Sequence, residues 1–333
     1  MGWKSILEIG DQLVDGLHKR YRSLASVGVF TLSWSNTLCL VLCKLQQQTE
    51  VIGMWVAKKI FAGITAILVS TIFVATAVAG EAQKQLTSES VIQTITKRGK
   101  IKVGMSTFVP WAMRNKEGEL IGFEIDVATK LAEDLGVEIE FVPTAWSGII
   151  PALIAGNFDV IIGGMSVTTK RNLTVNFTAP YAHSGMGIVA NKALAGDLAW
   201  PDGYNSSKVT FTCRRGATSC TDTQKIFPKA KLRQFDDSAL VLQEVVNGNA
   251  HAVLTSFPKP TDWQSMHPEV LFNPTLDKLT EGNESFAIRK GDPDALNVFS
   301  NWIMTKTSNG WLNERWTYWF TTKGWADQVN LKN

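Results

Sequence analysis

The chain has 333 residues, 45% of them hydrophobic and 19% charged, enough to bury one large core or two smaller ones. A net charge of +3, with its basic residues scattered, argues against a nucleic-acid binder. Four cysteines fall into two pairs, Cys39 with Cys43 and Cys213 with Cys220; no CxxC…CxxC or HExxH spacing occurs, so no metal and no cofactor is expected.

Residues 1–53 hold a short amphipathic piece, ILEIGDQLVDGL, and an apolar piece, TLCLVLC, without a domain pattern. Residues 54–79 read differently. Lys58 and Lys59 precede an uncharged apolar run from Ile60 that closes in Ala77-Val78-Ala79, the small-x-small pattern of a signal peptide cleaved after Ala79. The expectation is that Met54 is the start and that 1–53 is a non-native upstream extension; an unusually long n-region is the alternative. The apolar run is also long enough to stay as an uncleaved membrane tether. Export would place Cys213 and Cys220 in an oxidising compartment, where their separation permits a disulfide.

Beyond the leader, ESVIQTITKRG predicts a short helix ended by Gly99, and IKVGM a strand. In GFEIDVATKLAEDLGV, Ile125, Val127, Ala128, Leu131 and Leu135 recur at helical spacing and Gly136 stops the run. VEIEFVP alternates as a strand, SGIIPALIAGNF is a helix closed by Gly156, and DVIIGGM is an apolar strand of the buried parallel kind. The order repeats with KVTFTC, SCTDTQKIF, KLRQF, SALVLQEVVNGN and AHAVLTS, which gives two α/β units, 100–181 and about 208–256. Two helices broken at Asn309-Gly310 close the chain. The joining segments, 182–190 and EGNESFAIRK, read as extended. Two lobes with two crossover strands leave a central cleft, and open α/β sheets bind ligands at the carboxyl ends of their strands.

The stretch MSVTTKR, 165–171, lies at such a strand end. Arg171 offers a fork of donors that fits a carboxylate. Gly163 and Gly164 allow close backbone approach, and Ser166 and Thr168 offer hydroxyls. The same residues also suit a capped helix start with a surface arginine.

GFEIDVATKLAEDLG, WSGIIPALIAGNFDVIIGGMSVTTKRNLTVNFTAPY and GWLNERWTYWF resemble the periplasmic solute-binding proteins of ABC transporters for amino acids, bacterial extracellular solute-binding protein family 3. The resemblance runs from about 95 to 325. It implies a type II periplasmic-binding-protein fold, one lobe from 80–182 and 284–333 and the other from 183–283, closing on a small carboxylate and delivering it to permease subunits, as a monomer without nucleic acid. It implies that Arg171, with Ser166 and the Gly164 carbonyl, holds the carboxylate. Phe108 and Trp111 would cover the side chain from one face and Trp146 from the other, and Thr218 would donate to the carboxylate. Each has a plain alternative: core or hinge packing for Phe108 and Trp111, helix flanking for Trp146, capping for Thr218.

The sequence departs from the family in the second lobe. Where family members carry an acidic residue that pairs with the α-ammonium, AVLTSFP puts Ser256. Asp262 would serve instead if the FPKP turn folds over. Arg214 stands beside Arg215, and one of the two is expected to face the cleft. A lost anion and a gained cation favour a ligand with more negative charge or without an amine; the plain alternative is a polar Ser256 and a solvated Arg214. The competing functions are an enzyme on the same scaffold, like cyclohexadienyl dehydratase, and a tethered sensor domain.

Overall fold

A computed structural model of the chain describes residues 89–329. The upstream extension, the signal peptide, its cleavage site at Ala79 and the tether alternative lie outside the described residues. No helix among the described residues is long and apolar enough to cross a membrane.

Local chemistry sets the first elements. Helix α1 (Val91–Arg98) begins where the Ser90 hydroxyl accepts from the Ile92 N–H and ends at Gly99, whose φ of 69° suits glycine. It buries Val91 and Ile95. Strand β1 (Lys100–Met105) pairs in parallel with β4 (Glu138–Pro143) from Lys100↔Glu138 to Met105↔Pro143. A two-residue hairpin, β2 (Met113–Arg114) with β3 (Leu120–Ile121), intervenes. Helix α2 (Phe123–Leu135) buries Ile125, Val127, Ala128 and Leu131 of the expected stripe, leaves Leu135 partly exposed, adds Phe123, and closes at Gly136.

A turn of 3₁₀ helix at Trp146–Gly148 leads into α3 (Ile149–Ile154). Strand β5 is only Val160–Ile161. The expectation of a strand throughout DVIIGGM needs correction. Gly164 adopts φ 65° and turns the chain out of the sheet, so that Ser166 forms a bridge with Glu284. Helix α4 (Thr169–Asn172) follows, capped by the Thr168 hydroxyl. Strands β6 (Asn176–Ser184) and β7 (Met186–Asn191) are separated by Gly185 alone. Then come α5 (Lys192–Ala195), β8 (Thr210–Arg214), α6 (Thr218–Ile226), β9 (Lys231–Phe235), α7 (Ser238–Val246), β10 (Ala252–Ser256), α8 (Lys259–Met266) and β11 (Leu271–Phe272). The chain closes with β12 (Gly282–Ile288), α9 (Pro293–Ser308), α10 (Trp311–Trp316) and a π-helical turn at Thr317–Thr322.

Two five-stranded sheets result, ordered β4-β1-β5-β12-β6 and β11-β7-β10-β8-β9. The chain crosses from the first to the second at Gly185 and returns through 273–281. Ser184 pairs with Gly282 inside the first sheet, so the crossing falls a few residues later than the sequence boundary at 182. A Cβ on Gly185 would lie 2.1 Å from the Thr280 carbonyl oxygen, which is why the crossing needs glycine. The first core is aromatic, with Trp111, Phe123, Phe286, Phe299 and Trp319. The second packs Tyr204, Phe211 and Phe227 beneath β8 and β10. Each lobe therefore has its own core, and the strand ends of both face one cleft.

Candidate functional site

The cleft holds a partly open cavity of about 60 Å³. Phe108, Trp146, Gly164, Ser166 and Arg171 line the cavity from the first lobe, and Arg214, Thr218 and Ser256 from the second.

Arg171 is positioned by α4. Its Nη1 donates to the Ser166 carbonyl at 2.7 Å, and its Nη2 donates across the cleft to the Gly216 carbonyl at 2.9 Å. Burial lowers its pKa to about 10, with Asp222 opposing, so it stays charged at neutral pH. Arg214, at the end of β8, reaches the other way and donates through Nη2 to the Ser106 hydroxyl. Its Nε is buried without a partner, and burial lowers its pKa too. Both guanidinium groups lie against Trp146, 5.8 Å and 5.4 Å from its ring centroid. Gly164 is held by its N–H, which donates to the Tyr181 hydroxyl at 3.0 Å; that hydroxyl also bonds the buried carboxyl of Glu124 at 2.7 Å.

Thr218 is the first residue of α6, whose N-cap is Ala217, so its hydroxyl is not a cap. Ser256 ends β10 beside the cavity. Cys213 and Cys220 form a disulfide with Cα atoms 5.3 Å apart, tying the end of β8 to α6 behind Arg214.

Two readings need correction. Trp111 does not reach the cavity. It is 2% exposed and packs in the first core against Phe123, Trp316 and Phe320. Asp262 does not fold back toward the cleft either; its Oδ1 pairs with Lys323 of the first lobe at 2.5 Å. No sequence signal pointed to Lys259. It is 4% exposed, with Nζ 3.7 Å from the Phe108 ring centroid and 4.7 Å from that of Trp263. A lysine is almost never fully buried, so nothing in its local sequence marked it. Among the described residues the cavity lining contains no Asp, Glu, His, Lys, Cys or Tyr.

Residues 101–322 match the model of the bacterial extracellular solute-binding proteins, family 3, and the chain belongs to that family. It is 27% identical to an L-cystine-binding protein of Escherichia coli (strain K12), over 73% of this chain and 91% of that one. It is 22% identical to a cyclohexadienyl dehydratase of Pseudomonas aeruginosa, over 69% and 86%. Among solved structures it resembles an ancestral amino acid-binding protein, a precursor of cyclohexadienyl dehydratase, with 36% identity and a TM-score of 0.63 over 70% of this chain and 100% of that one. It also resembles a putative ABC-transporter binding component from Wolinella succinogenes complexed with lysine, with 31% identity and a TM-score of 0.65 over 69% and 99%. The fold is the two-lobed, type II periplasmic-binding-protein fold.

Proposed function

We infer that the chain is the exported, solute-binding component of an ABC transporter. It captures an amino acid or related small carboxylate by lobe closure and presents the closed form to permease subunits. The observation that carries this reading is Arg171, charged and largely buried at the cleft, whose side chain among the described residues hydrogen-bonds only carbonyl oxygens. A cation so placed gains most from a two-pronged carboxylate. Export through cleavage after Ala79 and a monomeric state belong to the same reading. So does binding without chemistry.

The test is calorimetric titration with amino acids and the same acids lacking the amine, with Arg171→Ala as control. Carboxylate binding lost in Arg171→Ala supports the reading; undiminished binding in that variant sinks it. The enzyme alternative is checked by incubation with a carboxylated cyclohexadienol, whose turnover would create aromatic absorbance.

A further inference from the structure

Among the described residues, Lys259 is a cleft-side cation to which the carboxylate reading gives no role. It opens α8 on the second lobe, while Phe108, on which its ammonium rests, belongs to the first. Parting of the lobes therefore withdraws Phe108 from the ammonium and leaves Trp263, of the same helix, against it. Lys259 itself does not line the cavity, but both aromatic neighbours that separate it from that space, Phe108 and Trp263, do. Among the described residues no hydrogen bond or ion pair reaches Nζ; the carboxylate one turn on, Asp262, is engaged by Lys323. Two aromatic faces offset only part of the cost of burying an ammonium. Arg171 and Arg214 add two more cations beside the cavity, and no carboxylate lines it.

We propose that Lys259 receives a second anionic group of the solute, so that the cleft selects a small dicarboxylate over a neutral or cationic amino acid. This rests on the reading that Arg171 holds a carboxylate. The structural relative complexed with lysine marks the contrast: a cationic side chain would here meet an ammonium already short of counter-charge.

Lys259 is also poised to respond. Burial, with the like charge of Arg214, lowers its pKa to about 7, and Asp262 pulls weakly the other way. Strands β7, β10 and β11, which pack against α8, bring no titratable side chain to it. A second anion beside it raises its proton affinity, so a dicarboxylate is taken up together with part of a proton near pH 7.

The experiment is calorimetry of the full chain at pH 7 and low salt with isosteric pairs, glutamate with glutamine and succinate with succinamate, beside lysine and arginine. One dicarboxylate should bind about 10- to 100-fold tighter than its monoamide, the worth of a charged hydrogen bond. Lys259→Met should weaken the dicarboxylate more than the monoamide and close that gap; Lys259→Arg should keep part of it. Equal binding of the pair, tighter binding of lysine or arginine, or a gap that survives in Lys259→Met overturns the proposal. Monocarboxylates that bind through Arg171, with diacids no better, remove the second anion and leave the carboxylate reading standing. Failure of every carboxylate to show Arg171-dependent binding removes both. If Lys259→Met does not fold, the wild type decides: in two buffers of different ionisation enthalpy, proton uptake with the dicarboxylate should exceed that with the monoamide, and equal uptake refutes the proposal.

Discussion

Glu124 is a buried carboxyl behind the cleft, and replacing it by glutamine tests the electrostatics of the first lobe. The carboxyl is fully buried, bonded to the Tyr181 hydroxyl through both oxygens at 2.7 Å, and near Glu284. Burial, reinforced by Glu284, raises its pKa from 4.5 to about 8, although the Tyr181 bond pulls downward. The folded chain therefore keeps a proton that the unfolded chain has released. The stability this provides is complete below pH 4.5, drains as pH rises, and is gone above about 8. At about 1.4 kcal/mol per pH unit, the wild type should lose about 3–4 kcal/mol between pH 5 and pH 8 that Glu124→Gln keeps. Urea unfolding of both proteins at the two pH values measures this, because only the difference in slope is attributed to Glu124. Parallel pH profiles, or a wild type that gains on the variant as pH rises, would show that the native state holds Glu124 ionised.

Three other outcomes follow from named contacts. Replacing Cys213 and Cys220 together by serine opens a short loop, seven residues apart, and should cost about 2 kcal/mol, read as a lower urea midpoint that matches the reduced wild type. Gly185→Ala places a Cβ 2.1 Å from the Thr280 oxygen and should cost about 1–3 kcal/mol; an unchanged midpoint would mean that the crossing moves freely. Lys323→Ala breaks an ion pair between the lobes whose side chains are 41% and 21% exposed, so stability should fall by less than about 1 kcal/mol. Its clearer effect should be on solution scattering, with a larger radius of gyration for the variant with solute present; identical curves would show that the pair does not help to hold the lobes closed.

The sequence was most readable where periodicity and punctuation agreed. Helix α2 buries its apolar stripe from Ile125 to Leu131 and stops at Gly136, and Gly310, with φ 82°, breaks the last helices as expected. It was least readable where a long-range partner decided. DVIIGGM is apolar throughout, but only Val160 and Ile161 find β1, because Gly164 turns Ser166 toward Glu284, which lies far along the chain. Phe108 and Trp111 are both aromatics after the same strand. Which one lines the cavity was decided by Trp316 and Phe320 near the chain's other end, which take Trp111 into the core. Arg171 and Ser256 were placed beside the cavity by their strand-end positions, whereas burial of Lys259 depends on a ring from the opposite lobe that no local pattern reveals.

The named relatives differ in solute while sharing the scaffold, so the fold alone does not choose the ligand. The choice lies in the wall chemistry, and here three features of the second lobe act in one direction. Ser256 supplies no charge to neutralise an ammonium, Arg214 keeps a buried donor without a partner, and Lys259 stands near an acid committed elsewhere. That last commitment spans the cleft: Lys323 belongs to the first lobe, so the Asp262 carboxylate of the second lobe is engaged between the lobes and not by Lys259.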